Sequence, residues 1–465
     1  MFKLFFLALT LISCVAKECS QRDYGHGSFV CVCNATYCDT VEPFQPLAPG
    51  NFIIYSSNRE RLRFNKSQGV FVKDIATGSN IIQIDPDTQY QEINGWGGAF
   101  TDTSGYNLNT LNKDARENVM KAYFSKDGIE YSLCRVPIGG SDHSLRYYSY
   151  NEVPGDVTLS KFNLTEEDYL YKIPFIKDAL SLSNNSLKLM ASSWNAPLWM
   201  KTNNASAGLG FLKKEYYQTW ANYHGTWIAD NFGPTLRKSN YSSIKIIAFD
   251  DCRLLLPFWL LLEFANNKAM NYVDGLGIHW YTDSMFPPTL LDWTRFFFPE
   301  PFLLGTEATA GDLRFKNKVV LGNWRRGEMY VDNIIENLEH WYTGWMNWNL
   351  AVNLKGGPSY IGNYVDSSII VNSTAQEFYK NPTYYTMGHF SKFIPPKSVR
   401  IDANIKKKTV RVVAFLRPDN GTALVICNMH NRDVEVTVQD PRRGQIRLPD
   451  KNGTLAIEKM IKSLL

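Results

Sequence analysis

The sequence predicts an α/β TIM barrel, with seven of eight strands identifiable, joined to an all-β sandwich built from both chain ends. Three observations predict it. Both ends read as short β-type runs separated by turns, the middle alternates strand-like and amphipathic helical stretches, and polar and aromatic residues gather where the middle strands end. Repeated β-α order implies a parallel sheet, closed as a barrel or doubly wound. No Gly-x-Gly-x-x-Gly or Walker loop follows any strand, which leaves nucleotide binding without support. An apolar fraction of 44% supplies a core, and a net charge of +4 over 465 residues is no nucleic-acid footprint.

The elements follow in chain order. Met1-Phe2-Lys3, the apolar run Leu4–Ile12 and Cys14-Val15-Ala16 make a secretory signal, so residues 1–16 are expected to be cleaved. That run is too short to span a bilayer, and no other segment reads as a membrane span. Cys19, Cys31, Cys33 and Cys38 crowd the start of the mature chain. Disulfides suit an oxidising compartment; a zinc knuckle is the competing reading, with no His at ligand spacing. Cys134, Cys252 and Cys427 read as plain buried cysteines.

After a Pro-rich turn, β-type runs fall at Phe52–Tyr55, Val70–Asp74 and Asn80–Ile84. Strand-like runs then end near Gly98, Ile138, Asn195, Asp251, Tyr281, Glu307 and Asn349. Helical periodicity marks Asn112–Phe124, Glu167–Leu182 and Lys213–Phe232. Near the end, Thr409–Leu416 and Thr422–Asn428 flank Arg417-Pro418-Asp419-Asn420-Gly421, a hairpin signal. Val434, Val436 and Val438 alternate with polar residues and mark one buried strand face. The expected units are a small disulfide-bearing β subdomain (17–44 with 350–382), the sandwich (45–90 with 398–465) and the barrel (91–349 with 383–397). Asn-x-Ser/Thr begins at Asn34, Asn65, Asn163, Asn184, Asn204, Asn240, Asn372, Asn420 and Asn452, which behind a signal peptide predicts a glycoprotein.

The strand ends carry Thr101 and Asp102, Asp142, Trp194 and Asn195, Asp250, His279 to Tyr281, Glu307, Trp348 and Asn349. In a barrel, that rim is where chemistry sits. Each residue also has a plainer reading. A Glu after an apolar run is commonly a salt-bridge partner, a Trp on a strand is commonly core, and Asp142 after Gly139-Gly140 could cap a turn. His279 reads as a core or supporting histidine rather than a base.

Longer motifs raise the catalytic reading over the plain one. They are Phe29-Val30-Cys31-Val32-Cys33-Asn34-Ala35-Thr36-Tyr37-Cys38-Asp39, Arg135-Val136-Pro137, Lys201-Thr202-Asn203, His279-Trp280-Tyr281, Thr306-Glu307-Ala308, Trp348-Asn349-Leu350-Ala351 and the run Met387 to Pro395. With these the chain resembles the lysosomal glucosylceramidases (acid β-glucosidases) of glycoside hydrolase family 30. The resemblance implies retaining hydrolysis of glucosylceramide to glucose and ceramide, with no metal or cofactor. It implies Glu307 as nucleophile, Asp142, Trp194, Trp348 and Asn363 as glucose contacts, and Tyr281 beside the nucleophile. It also implies the disulfides Cys19–Cys31 and Cys33–Cys38, a substrate presented at a membrane surface, a saposin-type activator protein, and delivery to the lysosomal lumen. Asn347 stands where the family usually has an acidic residue.

A retaining glycosidase needs two carboxyls about 5–5.5 Å apart, one to attack the anomeric carbon and one to protonate the departing oxygen. In the family the second lies in an Asn-Glu-Pro motif ending barrel strand four, and this chain has no Asn-Glu-Pro. Asn151-Glu152-Val153-Pro154 is a decoy in the loop between strands two and three. Thr219 to Tyr223 matches the helix after strand three, and Trp227 to Asp230 matches the helix after strand four. About one β-α unit is therefore expected to be missing, leaving an open edge between strands three and five. A transcript read without one exon, a splice form and a true loss each account for the gap. In the last two cases, the alternative function is a chain that binds sugar or glycolipid without efficient turnover.

Overall fold

The computed structural model describes residues 16–73, 80–216, 219–220, 238, 243–263, 270–406, 409–429, 434–448 and 460–464. The N-terminal strands are β1 (Gln21–Asp23), β2 (Phe29–Cys33), β3 (Asn51–Asn58), β4 (Asn65–Val70) and β5 (Ile81–Glu92). The central region opens with β6 (Gly95–Ala99), α1 (Asp102–Asn109), α2 (Lys113–Phe124), β7 (Leu133–Ile138), α3 (Ile173–Leu182) and β8 (Lys188–Ser193). It continues with β9 (Ile247–Cys252), α4 (Phe258–Glu263), β10 (Gly275–His279), α5 (Thr289–Phe297), β11 (Phe302–Glu307), α6 (Trp324–Glu339) and β12 (Tyr342–Asn349). The far end adds β13 (Ala351–Asn353), β14 (Ile369–Asn372), β15 (Glu377–Lys380), α7 (Pro382–Ser391), β16 (Val399–Ile405), β17 (Val410–Leu416), β18 (Thr422–Asn428), β19 (Val436–Asp440), β20 (Gly444–Leu448) and β21 (Met460–Leu464).

The barrel strands form one parallel sheet in the order β8-β7-β6-β12-β11-β10-β9. Its middle is crowded and dry. All eight residues of β12 are buried, and a Cβ on Gly97 of β6 would stand 1.8 Å from the Leu133 carbonyl oxygen, so only glycine fits there. Helices close over the sheet from properly capped starts: Asn112 accepts the Ala115 amide at 2.9 Å ahead of α2, and Asn323 accepts the Arg326 amide at 3.1 Å ahead of α6.

β8 and β9 are the two edges of this sheet, and they do not pair with each other among the described residues. Among the described residues the unpaired edges thus follow the third strand of this sheet in chain order, the place where the sequence predicts an open edge. Between Trp199 and Ser243, the only β-type pairing among the described residues is an isolated bridge, Lys201 to Leu212. Most of the helix expected over Lys213–Phe232 lies outside the described residues.

A five-stranded sheet, β1-β2-β15-β14-β13, ties the N-terminus to the segment after the barrel, and the disulfides Cys19–Cys31 and Cys33–Cys38 close within its N-terminal part. A nine-stranded sheet, β20-β19-β5-β16-β17-β18-β21-β3-β4, is likewise built from both ends. Val434, Val436 and Val438 are all buried, as their alternation predicts. The run Val70–Asp74 differs: its strand lies earlier, at β4, and only Val72 makes a single bridge, to Gln445. The β3–β4 register pairs Asn51 with Val70, which exhausts the hairpin before the apolar Phe71-Val72 pair. Cys134 and Cys427 are buried and Cys252 is half-buried. Of the sequon asparagines, Asn65, Asn163, Asn184, Asn204 and Asn420 are exposed, and Asn34 and Asn372 are half-buried. Asn240 and Asn452 lie outside the described residues, as does the signal segment up to residue 15.

Candidate active site

Glu307 is the last residue of β11 and 7% exposed. One carboxylate oxygen accepts the Tyr281 hydroxyl at 2.7 Å, and the other accepts Nη1 of Arg135. Arg135, in the middle of β7, is 2% exposed. Its Nη2 donates to Oδ2 of Asp250 at 2.6 Å and to Oγ of Ser192 at 3.0 Å. Ser192 in turn donates to Asp250 at 2.5 Å, and His279 Nε2 lies 3.2 Å from the other Asp250 oxygen. Strands β7 to β11 therefore each supply one member of a single polar cluster, which runs from the middle of β7 to the last residue of β11.

The electrostatics of this cluster fix protonation states. Burial alone would raise the Asp250 carboxyl, but the Arg135 guanidinium, with His279 and Ser192, holds it well below the usual carboxylate range. Asp250 is thus a fixed anion and has no proton to give. Burial lowers the His279 imidazole, but Glu307 and Asp250 outweigh it and raise its pKa.

Asp142 lies in the loop after β7. Burial, and next the negative charge of Glu307, push its carboxyl up, against the opposing pull of His143. Its Oδ2 accepts Nδ2 of Asn363 at 2.8 Å. Its Oδ1, the Asn363 Oδ1 and both His143 ring nitrogens are buried and make no protein hydrogen bond. Unmatched buried acceptors of this kind suit donors from a polyol. Trp194 and Trp348 stack at 4.9 Å between ring centroids with 16° between planes, and the Arg135 guanidinium lies 5.1 and 5.3 Å from the two rings.

The structure brings Glu307 and Tyr281 together, Asp142 and Asn363 together, and Trp194 and Trp348 together, while Arg135 links the first and last pairs. The turn-capping reading of Asp142 gives way, because its carboxylate reaches Asn363 across the rim. Asn347 lies behind the site, accepting the Tyr330 hydroxyl at 3.0 Å and donating to Ser368 at 3.1 Å. Glu152 of the decoy is exposed and holds the Ser149 amide at 2.6 Å, a loop staple. Arg135 and Ser192 were not singled out as site residues from sequence. A lone arginine in the apolar strand Leu133-Cys134-Arg135-Val136-Pro137-Ile138 is the signal that could have found the first, since a buried charge must be paired. Cys33, Cys38 and Asp39 are close enough to share a metal ion, but both sulfurs are in a disulfide and offer no thiolate.

A carboxylate, a tyrosine hydroxyl and stacked tryptophans at the rim of a parallel sheet suit carbohydrate chemistry, and the family match makes the chain a glycoside hydrolase. The comparisons are narrower. The chain matches the glycosyl hydrolase family 30 TIM-barrel domain over residues 93–228 and 224–394, and the family's β-sandwich domain over 397–453. The chain belongs to glycosyl hydrolase family 30. It is 36% identical to the lysosomal acid glucosylceramidase of Mus musculus, over 92% of this chain and 93% of that one. It is 37% identical to a Caenorhabditis elegans protein named putative glucosylceramidase 4, over 91% of this chain and 91% of that one. In fold it is similar to SrfJ from Salmonella typhimurium, with a TM-score of 0.80 and 24% identity over 89% of this chain and 99% of that one. It is also similar to an endo-β1,6-glucanase, with a TM-score of 0.77 and 23% identity over 89% and 99%.

Two features of these matches bear on the gap. The barrel match comes in two stretches that meet at residues 224–228, where Tyr223 and Trp227 were read as the join. The mouse alignment runs over 478 positions, yet 92% of 465 residues is about 428, so about fifty positions of the relative have no counterpart here.

Proposed function

We propose that the chain is a retaining β-glucosidase that hydrolyses glucosylceramide to glucose and ceramide, with Glu307 as nucleophile. The observation that carries this reading is the pairing at Glu307: its carboxylate is oriented by Tyr281 and Arg135, on the same rim as Asp142 and Asn363, each of which has a buried oxygen without a protein donor. The Arg135 bond orients the carboxylate for attack on an anomeric carbon. Asp142 and Asn363 bind sugar hydroxyls, and Trp194 and Trp348 offer ring faces to the C–H surface of glucose. The names of the mouse and nematode relatives support glucosylceramide as substrate. By the same likeness the protein works in the lysosome, at a membrane surface and with a saposin-type activator. The exposed sequon asparagines carry glycans.

The weak point of the site is the proton for the leaving alkoxide. General acid catalysis contributes roughly 10²–10⁴-fold, and no Asn-Glu-Pro supplies it here. Asp250 is a poor substitute because Arg135 holds it ionised. The second reading, sugar binding without efficient turnover, rests on that missing motif alone.

One assay separates the two. The purified chain is tested on glucosylceramide and on an aryl glucoside whose leaving group needs no proton. Hydrolysis of both, lost in Glu307→Gln, supports the glucosylceramidase. Hydrolysis of the aryl glucoside alone, also lost in Glu307→Gln, indicates a nucleophile without its acid. Binding of glucose mimics with no hydrolysis of either supports the second reading. Sequencing the transcript across the codons for Tyr223 to Trp227 tests for an intervening exon that encodes Asn-Glu-Pro.

A further inference from the structure

Behind the Asp142 loop lies a buried charged group to which the chemistry above assigns no task. Lys172 is 1% exposed, Asp102 1% and Asp168 3%. The turn Asp168–Lys172, which leads into α3, is wound as a π-helix, a local widening that often accompanies functional sites. Gly105 lets α1 meet this turn backbone to backbone, since a Cβ there would lie 2.0 Å from the Tyr171 carbonyl oxygen. The close approach brings the Lys172 ammonium beneath the end of β7.

The ammonium reaches both ends of the loop that carries Asp142. Its Nζ donates to the carbonyl of Pro137 at 3.1 Å, to the carbonyl of Gly139 at 2.8 Å and to the Tyr148 hydroxyl at 2.9 Å. Asp168 and Asp102 balance its charge at 3.1 and 3.5 Å. Asp102 accepts two further hydroxyls from the same loop, Tyr148 at 2.8 Å and Ser144 at 2.5 Å. The Gly140 amide donates to the Tyr148 carbonyl at 3.0 Å and closes the loop's base. Gly139 takes a φ of +80°, which only glycine adopts readily, and this backbone turn accompanies a carbonyl directed at the lysine. At the loop's far side, Ser359 donates to the Asp142 carbonyl at 2.7 Å.

A buried ion pair gains little stability over apolar side chains of the same volume. What this one supplies is a fixed geometry for a loop that otherwise holds no regular structure. We propose that Lys172 and Asp102 are positioning residues that hold Asp142 in its sugar-binding orientation by clamping the base of the Gly139–Ser149 loop. The inference rests on the reading of Asp142 as a sugar contact.

The test is a mutant cycle read by calorimetry with a glucose-configured iminosugar and the full chain. Lys172→Met and Tyr148→Phe are each expected to weaken binding by about tenfold in an otherwise unchanged chain. In an Asp142→Ala background, each is expected to have no further effect, because the residue they position is gone. Equal weakening with and without Asp142 overturns the inference, as does no weakening at all. A merely structural role would add in both backgrounds. Tyr148→Phe removes one oxygen only, so it carries the comparison if Lys172→Met does not fold. Failure of the unmodified chain to bind the iminosugar overturns the sugar-site reading and this inference together, whereas binding with additive losses overturns the inference alone.

Discussion

Replacing Arg135 with Met leaves Glu307 and Asp250 without their shared counter-charge in a nearly dry rim. Breaking a buried pair in this way costs about 3–5 kcal/mol. Arg135→Met is therefore expected to lower the urea midpoint substantially, and to abolish hydrolysis of an activated aryl glucoside even at temperatures where the variant stays folded. An unchanged midpoint would sink the pairing argument. The arginine was visible in sequence as part of a motif, but its task was not. Strand alternation tells which face a residue lies on. It does not tell that the partners on that face are Glu307, 172 positions away, and Asp250, 115 positions away. Glu307 and Tyr281 stand out for the opposite reason, because they sit inside the contiguous motifs Thr306-Glu307-Ala308 and His279-Trp280-Tyr281.

At the scale of elements, the sheet edges β8 and β9 decide most. Exposed edges template association with other chains, and natural sheets blunt them with charge. Leu189 on β8 is 44% exposed, so Leu189→Lys is expected to reduce concentration-dependent self-association in light scattering without lowering ligand binding. The interior of the same sheet tolerates nothing. Gly97→Ala drives a methyl into the Leu133 carbonyl oxygen, and no folded material is expected from it by circular dichroism. The helix over Asn112–Phe124 was legible from its period, with Asn112 standing just outside α2 as its cap. The position of β4 was not, because its residues, Asn65-Lys66-Ser67-Gln68-Gly69-Val70, carry no apolar alternation and are held by register alone.

At the scale of the whole molecule, one buried group ties stability to pH. His389 in α7 is 0% exposed, bonds Ser57 at 2.9 Å and packs against Phe64. Burial pushes its imidazole down to about 3. The folded chain keeps it neutral, whereas the unfolded chain takes up a proton near pH 6.5. As pH falls below about 6.5 the unfolded state therefore gains, and between pH 7 and 5 this group removes about 2 kcal/mol of stability. His389→Gln is expected to flatten that part of the melting-temperature profile against pH; an unchanged slope would count against the burial argument. The architecture itself was legible, since each end and the middle carry their own periodicity. The order of strands in the nine-stranded sheet was not, because neighbours there are distant in sequence. β21 lies between β18 and β3. The hairpin β3–β4, made early in synthesis, therefore waits for its sheet neighbour until Met460–Leu464 has emerged. Folding of this region depends on a contact that spans most of the chain, and a chain cut before Met460 strands the N-terminal hairpin.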